Sequence, residues 1–200
     1  GLGDVYKRQV LLYTRFVEFE VERLVDIWRR VVEAVPEARL LVVGEGFRGE
    51  ERELARLAAQ AGLGDSIDII GWVEEAGLPQ FFAAADVAIM PVDDTILSRA
   101  KCPVRLLDLM AAGVPVVAEA VGEYAELVED GVSGLLVPSG DEAAFAAAVV
   151  RLLKNDGLRR EMGQAARSRV YTAFCWERLV ERVEKAYAGD TLAVLHQRGE

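Results

Sequence analysis

The sequence predicts an α/β fold, a doubly wound parallel sheet of about six strands. Short apolar runs alternate with longer segments in which apolar residues recur at helical spacing, and this alternation continues along nearly the whole chain. Connections of this kind are right-handed crossovers between parallel strands, so helices should cover both faces of the sheet. Such sheets bind ligands at the carboxyl ends of their strands.

The individual elements follow from this alternation. Strands are predicted where apolar runs occur, at residues 10–14, 38–43, 67–70, 87–90, 114–117 and 134–137. Helices are predicted at residues 19–35, 50–61, 78–84, 103–113, 123–129, 142–153, 158–170 and 176–188. Asp141 should cap the helix after it, because its carboxylate can accept hydrogen bonds from free first-turn amides. A polar loop is predicted over residues 93–105.

Composition and charge narrow the function. The chain has 200 residues with 52% apolar and 28% charged residues, an ordinary globular composition. A net charge of −10 argues against a nucleic-acid partner. No apolar run is long enough to predict a transmembrane segment. Cys102 and Cys175 lack metal-site spacing and His196 is the only histidine, so we expect no metal and a reduced, cytoplasmic location.

The first residues do not resemble the rest of the chain. Residues 4–9, DVYKRQ, resemble the translation of an adaptor sequence used in sequencing libraries, and residues 1–9 are interpreted as a non-native lead-in. The domain is then expected over residues 10–190, with a tail at residues 191–200. A sequence read from a broken fragment would lack an upstream domain.

The strongest functional signal is a cluster of cations in the predicted loop. Arg99, Lys101 and Arg105 lie within seven positions of one another in an otherwise acidic chain. Pro103, a residue favoured at the start of a helix, stands between them. An anion at the helix N-terminus would be stabilised by free amides and by the helix dipole. A phosphorylated small molecule is the natural candidate.

Three further residues are predicted at the same edge of the sheet. Arg15 follows the first strand and is suited to phosphate, although a surface ion pair is an alternative. Asp108 could accept hydrogen bonds from two ribose hydroxyls, or it could simply stabilise the helix by interacting with the helix dipole. Trp72, after Gly71, could flank a nucleobase, with packing as an equal alternative.

A glycine-rich segment also follows a strand. Gly44 to Gly49 matches G-x-G-x-x-G, the dinucleotide-binding pattern. However, the next strand ends at Ile70-Gly71 without the acid that would hold a ribose, and Glu45 would face the pyrophosphate. A tight turn that needs glycine is the favoured interpretation.

Several segments together carry a family resemblance. They are Tyr13-Thr14-Arg15, Val43-Gly44-Glu45-Gly46, Gly71-Trp72-Val73, Ala85-Asp86-Val87, Arg105-Leu106-Leu107-Asp108, Met110-Ala111-Ala112-Gly113-Val114-Pro115-Val116-Val117, Asp130-Gly131, Ser133-Gly134-Leu135-Leu136-Val137 and Phe174-Cys175-Trp176. Their order and spacing resemble the carboxyl-terminal, donor-binding domain of a family 4 retaining glycosyltransferase of the GT-B class.

The resemblance implies a Rossmann-like half of a GT-B enzyme with extra carboxyl-terminal helices. It implies a nucleotide-diphosphate sugar as substrate, no cofactor, a missing amino-terminal acceptor domain as partner, and peripheral membrane association through that domain. Arg15 and Arg105 become the candidates for stabilising the leaving diphosphate. The implied donor-binding residues are Arg15, Gly44, Gly46, Gly71, Trp72, Val73, Asp94, Lys101, Cys102, Pro103, Val104, Arg105 and Asp108.

The sequence departs from the family pattern at three positions. Ala100 replaces the first acid of the E-x7-E motif, and Asp93 or Asp94 could take over its contact with the donor sugar. Glu20 replaces the usual lysine, and Asp108 replaces the second glutamate. A nucleotide-sugar epimerase of similar architecture, a non-catalytic nucleotide- or phosphate-binding module and a dinucleotide oxidoreductase are the alternatives. The chain alone is expected to bind donor weakly without turnover.

Overall fold

The computed structural model describes residues 8–188. Most of the adaptor-like lead-in and all of the tail at residues 191–200 lie outside the described residues. The strands are β1 (Arg8–Tyr13), β2 (Ala38–Val43), β3 (Ile67–Gly71), β4 (Val87–Met90), β5 (Val116–Glu119) and β6 (Gly134–Val137). The helices are α1 (Val21–Ala34), α2 (Glu50–Gln60), α3 (Leu78–Ala84), α4 (Ile96–Ala100), α5 (Val104–Ala111), α6 (Tyr124–Leu127), α7 (Glu142–Leu153), α8 (Asp156–Ala173) and α9 (Trp176–Tyr187).

The strands form a parallel sheet of six strands in the order β3-β2-β1-β4-β5-β6. The predicted doubly wound α/β fold is therefore confirmed. The chain runs outward from β1 in one direction and then returns to place β4 on the other side of β1. The strand order thus reverses at β1, and sheets of this kind bind ligands at the carboxyl ends of their strands, near such a reversal.

Helices cover both faces of the sheet. Val10 and Leu12 of β1 point into a core closed by α1, α2 and α7, with Trp28 fully buried in it. Leu11 points to the other face, where α3, α5, α6 and α8 close a second core around Tyr124. This alternation along one strand is the period of two that a strand covered on both faces requires.

Several predicted boundaries agree with the structure; among the helices α8 is longer than predicted, at Asp156–Ala173, and among the strands β5 is displaced furthest. The predicted strand at residues 114–117 lies at Val116–Glu119, because the Val114 N–H still donates to Leu109 O, 3.1 Å away, at the end of α5. The shift places Glu119 inside the sheet. At the other end of the domain, β1 begins at Arg8. Arg8 pairs with Ala38 and Gln9 pairs with Arg39, so two positions of the presumed lead-in belong to the sheet.

The predicted polar loop at residues 93–105 contains the short helix α4, which the sequence analysis missed. Thr95 caps it, with its hydroxyl oxygen accepting from the Ser98 N–H at 3.1 Å. The backbone of Gly122 lies against Arg99, so that a Cβ at Gly122 would be 2.8 Å from the Arg99 Cα. A helix of five residues is too short to show a helical apolar period.

The carboxyl-terminal helices differ in how firmly they pack. α7 is capped as predicted, since the Asp141 carboxylate accepts from the Ala144 N–H at 2.8 Å. α8 packs along α5 through buried Gly163. α9 buries none of its residues, and Trp176 is 77% exposed. Within residues 8–188, no helix combines the length and apolarity that crossing a bilayer requires.

Candidate functional site

A cavity of about 140 Å³ lies at the carboxyl ends of β1 and β2. Its lining residues are Tyr13, Thr14, Arg15, Val43, Gly44, Trp72, Val73 and Arg105. The predicted donor-binding residues Arg15, Gly44, Trp72, Val73 and Arg105 are among them. The cavity thus brings together Arg15, which is predicted to bind phosphate, the residues predicted beside the base, and Arg105 from the predicted cationic loop.

Arg15 is held in this cavity by aromatic side chains. Its guanidinium carbon lies 4.6 Å from the ring centre of Phe47 and 5.1 Å from that of Trp72. Its Nε–H donates to the Glu45 carbonyl at 3.0 Å. Within residues 8–188 no carboxylate pairs with it, so its remaining N–H donors keep their capacity for an anionic ligand.

The first glycine of the glycine-rich segment has a structural reason. Gly44 has a φ of +125°, and a Cβ on it would lie 1.8 Å from the carbonyl oxygen of Thr14. Its N–H donates to Gly71 O at 2.8 Å. Glycine at this position therefore allows the chain after β2 to pass close to the end of β1.

The amides that a dinucleotide would need are already occupied. The Gly46 N–H donates to the Glu51 carboxylate at 3.1 Å, and the Arg48 N–H donates to the Glu50 carboxylate at 2.8 Å. Bonding to the Arg48 amide lowers the pKa of Glu50. A pyrophosphate would have to displace two carboxylates here, which disfavours the dinucleotide interpretation.

The three cations of the predicted loop do not converge on one point. Arg99 turns outward and binds both oxygens of Asp94, at 2.5 and 2.7 Å. This hydrogen bonding lowers the pKa of Asp94. Lys101 and Arg105 instead both donate to one oxygen of Glu18, whose side chain is 4% exposed.

Arg105 alone of the three also reaches the cavity. Its guanidinium carbon lies 5.9 Å from the ring centre of Tyr13. Burial raises the pKa of Tyr13, and the nearby charge of Asp108 raises it further. These contacts place Arg105 between the buried Glu18 carboxylate and the open cavity.

Asp108 lies at the edge of this arrangement, on α5. Burial raises the pKa of Asp108, the charge of Glu75 raises it further, and Arg105 opposes both. Asp108 does not line the cavity itself, but its influence on Tyr13 places it near the rim. A carboxylate in this position is an acceptor beside the cationic site, the feature that ribose hydroxyls require.

The remaining predicted donor-binding residues do not line the cavity. Pro103 is buried, whereas Val104 is 60% exposed on the first turn of α5. Cys102 is exposed and faces a separate cleft of about 530 Å³ beside α9. Gly46 lies in the loop after β2, and Gly71 is the last residue of β3.

Asp93, suggested as a substitute contact for the donor sugar, is engaged elsewhere. Arg23 pairs with Asp93 and also donates to Glu119 at 2.6 Å. The fully buried Glu119 accepts in addition from the Val92 N–H at 2.6 Å and the Gly140 N–H at 2.7 Å. This network ties the loops after β4, β5 and β6 together.

A larger groove, of about 680 Å³, lies beside the loop between β1 and α1. Its lining includes the acids Glu18, Glu20, Glu22, Glu50, Glu53 and Asp93. The lining also includes one arginine, Arg48. An excess of carboxylates repels an anion, so the smaller cavity with Arg15 is the better phosphate site.

Glu18 and Phe47 are the site residues that the sequence analysis missed. Glu18 sits between Val17 and Phe19, and an acid inside an apolar run is a signal for a buried partner. Phe47 lies in the glycine-rich segment, where only the glycines were interpreted.

Comparisons with known proteins bear on the family and the fold. A family profile described as "Glycosyl transferases group 1" matches residues 7–155. The chain is 35% identical over 164 residues to the phosphatidyl-myo-inositol mannosyltransferase of Mycobacterium leprae, covering 82% of this chain and 41% of that protein. The chain thus spans less than half the length of that relative.

Solved structures share the fold. The sucrose-phosphate synthase of Thermosynechococcus elongatus is 29% identical, with a TM-score of 0.75 over 93% of this chain and 46% of that one. Anabaena HepE, solved with UDP and glucose, is 20% identical with a TM-score of 0.75, over 94% of this chain and 50% of that one. These proteins do not favour the epimerase alternative. The resemblance drawn from the sequence is confirmed: the chain belongs to the glycosyl transferases group 1 family, and its described domain is one half of a GT-B fold.

Proposed function

We propose that this chain is the donor-binding half of a glycosyltransferase that moves a sugar from a nucleotide-diphosphate sugar to an acceptor. The observation that carries the proposal is Arg15, a cation without a carboxylate partner among the described residues, set in a cavity at the carboxyl edge of the sheet. An unpaired cation in an acidic protein is suited to a phosphate ligand.

The cavity residues have separate roles in this proposal. Arg15 and Arg105 bind the diphosphate, and they stabilise the negative charge that grows on it as the bond to the sugar breaks. The exposed ring of Trp72 provides a surface for the base. Asp108 accepts hydrogen bonds from the ribose hydroxyls. The leaving group is thus stabilised by protein cations, and the proposed chemistry needs no metal ion.

The proposal extends to the rest of a longer protein. Residues 10–190 form the donor domain, and an amino-terminal domain binds the acceptor. Support comes from the 41% share of the mannosyltransferase that this chain covers. HepE was crystallised with UDP and glucose, so UDP is the first nucleotide to test. The unpaired thiols Cys102 and Cys175 support a reduced, cytoplasmic location.

Ligand binding to the 200-residue chain tests the proposal. We expect one of UDP, GDP, ADP and TDP to raise the melting temperature, because ligand at about a hundredfold its dissociation constant adds about 2.7 kcal/mol. Arg15→Ala should weaken that binding by about 1–3 kcal/mol, as for loss of a charged hydrogen bond. Arg29→Ala, at an exposed ion pair on α1, is the control. The proposal would be contradicted if NADH alone raised the melting temperature, or if none of the four nucleoside diphosphates raised it.

A further inference from the structure

Glu18 is a buried carboxylate in a loop that faces the proposed phosphate site. Its side chain is 4% exposed, and its sequence neighbours Phe16 and Phe19 are buried as well. Lys101 Nζ and Arg105 Nη2 both donate to the same oxygen of its carboxylate. Its carboxylate therefore sets the position of two cations, one just before α5 and one on its first turn.

The backbone of Glu18 strengthens this link. Its carbonyl oxygen accepts from the Asp93 N–H at 2.6 Å, and the Asp93 carboxylate accepts from the Glu20 N–H at 2.9 Å. The loop after β1 and the segment after β4 are thus joined by main-chain and side-chain bonds. Arg15 and Arg105, which these two segments carry, line the same cavity.

A ligand cannot simply take the cations away from Glu18. A carboxylate this deeply buried is strongly destabilised once its positive partners leave. A diphosphate must therefore bind in addition to Glu18, using donors that Glu18 leaves unused. Such donors exist, because Arg105 and Lys101 each have more N–H groups than the one that Glu18 engages.

We propose that Glu18 is a positioning residue for donor binding: its carboxylate holds Lys101 and Arg105 so that Arg105 presents its unused N–H groups to the diphosphate beside Arg15. This inference rests on the proposed function, and it concerns the same cavity. The Tyr124 hydroxyl is a second buried group without a partner among the described residues, and burial raises its pKa, with a further increase from the charge of Glu18.

Simple electrostatics makes the opposite prediction. A carboxylate near an anion site repels the ligand, so removing its charge should tighten anion binding. A positioning residue should instead weaken binding when its charge is lost, because the two cations then repel each other and turn away. The sign of the effect therefore separates the two explanations.

The test compares Glu18→Gln with Glu20→Gln in the full chain, with inorganic pyrophosphate as the probe in isothermal titration calorimetry. Glu20 lies in the same loop and is exposed, so its variant loses the same charge without touching the cations. We expect Glu18→Gln to bind pyrophosphate about tenfold more weakly, as for one lost charged hydrogen bond. Glu20→Gln should bind as tightly as the native chain or more tightly.

A second readout separates positioning from general damage to the fold. Glu18→Gln should weaken UDP by the same factor as pyrophosphate and leave uridine binding unchanged, whereas a loosened fold would weaken all three. If Glu18→Gln does not fold, Glu18→Asp retains the charge and moves it by one methylene, and it should bind pyrophosphate measurably more weakly than the native chain.

Three results would overturn the inference: Glu18→Gln binding as tightly as Glu20→Gln, loss of uridine along with pyrophosphate, or unchanged binding by a Glu18→Asp variant tested in its place. A native chain that binds neither pyrophosphate nor UDP would instead overturn the proposed function itself, so the two failures are distinguishable.

Discussion

Phe47 and Trp72 hold the guanidinium of Arg15 although both rings are largely exposed, at 72% and 57%. A cation–π contact at an exposed site contributes about 0.5–1 kcal/mol, enough to restrict an arginine without neutralising it. An ion pair would have restricted Arg15 equally well and removed the charge that a phosphate needs. Aromatic contacts are therefore the arrangement that keeps this cation both ordered and available.

The sequence located Arg15, Arg105 and Asp108 because each follows from its distance to a strand end or a helix start. It did not locate the contact of Glu18 with Lys101 and Arg105. The contact with Arg105 joins residues 87 positions apart in the chain, and no local spacing encodes it. The Arg99–Asp94 pair, which removes one predicted phosphate cation, is local, but it lies at the short helix α4, a segment that was interpreted as a loop.

The Asp108→Asn substitution should weaken nucleotide binding without lowering the stability of the fold. We expect nucleoside diphosphate binding to weaken while pyrophosphate binding survives, because the carboxylate acts on the ribose. The pKa of Asp108 is raised above its ordinary value of 3.8, chiefly by burial. The native chain then loses stability as pH rises through that pKa, since the folded state holds the proton more tightly.

The asparagine variant lacks this loss, so its melting temperature relative to the native chain should increase between about pH 3 and about pH 7. Thermal melts at both pH values measure the effect. Asp65→Asn, at an exposed position away from the cavity, is the control. A variant that loses stability at neutral pH would show that Asp108 serves the fold rather than a ligand.

Among the elements, the apolar runs predicted β2, β4 and β6 with the observed boundaries, because each is buried and bounded by turn residues. The α4 segment escaped prediction for the opposite reason. Its stability comes from the Thr95 cap and from the close backbone of Gly122, not from a period of its own. The end of β5 was misplaced because Glu119 is polar, and its burial is explained only by Arg23 and two amides from other loops.

The contact between α5 and α8 gives a prediction at this scale. Replacing a helical glycine with alanine normally stabilises a helix by about 0.5–1 kcal/mol. Gly163→Ala should instead destabilise the protein, because its Cβ would lie 2.2 Å from the carbonyl oxygen of Gly113. Gly157→Ala in the first turn of the same helix meets only the Asn155 side chain, at 3.5 Å.

Chemical denaturation of the two variants measures the difference in the free energy of unfolding. We expect Gly157→Ala to be neutral or stabilising and Gly163→Ala to lose about 1–3 kcal/mol, the range for overpacking. Equal effects at both sites would mean that α8 can shift away from α5 without loss. The position of α5 matters for function, because α5 carries both Arg105 and Asp108.

At the scale of the whole molecule, the cavity lies at the carboxyl edge of the central strands, and its lining holds two arginines and no carboxylate although the net charge of the chain is −10. Pairing decides how this charge acts. Glu18, Asp93 and Glu119 are each bound to cations, whereas Arg15 has no carboxylate partner within residues 8–188. Composition alone predicted an acidic protein and gave no indication that the charge at the cavity is positive.

The helix α9 is the element least integrated into the molecule. Trp176, Val180, Val183 and Tyr187 recur along one side of it, and they are 77%, 45%, 53% and 90% exposed. A stripe of this kind is typical of a surface that another part of a protein covers. Because α9 buries none of its residues in this domain, it should add little to the domain's own stability.

Removal of residues 176–200 tests this directly. We expect the shortened chain to unfold cooperatively within a few degrees of the native melting temperature and to bind pyrophosphate with unchanged affinity, since no residue of α9 lines the cavity. Its fluorescence with the hydrophobic dye ANS should fall, because the apolar stripe is gone. Removal of residues 189–200 alone is the control that assigns the change to α9. A shortened chain that no longer unfolds cooperatively would show that α9 is part of the domain core, and the apolar stripe would then be incidental to its packing.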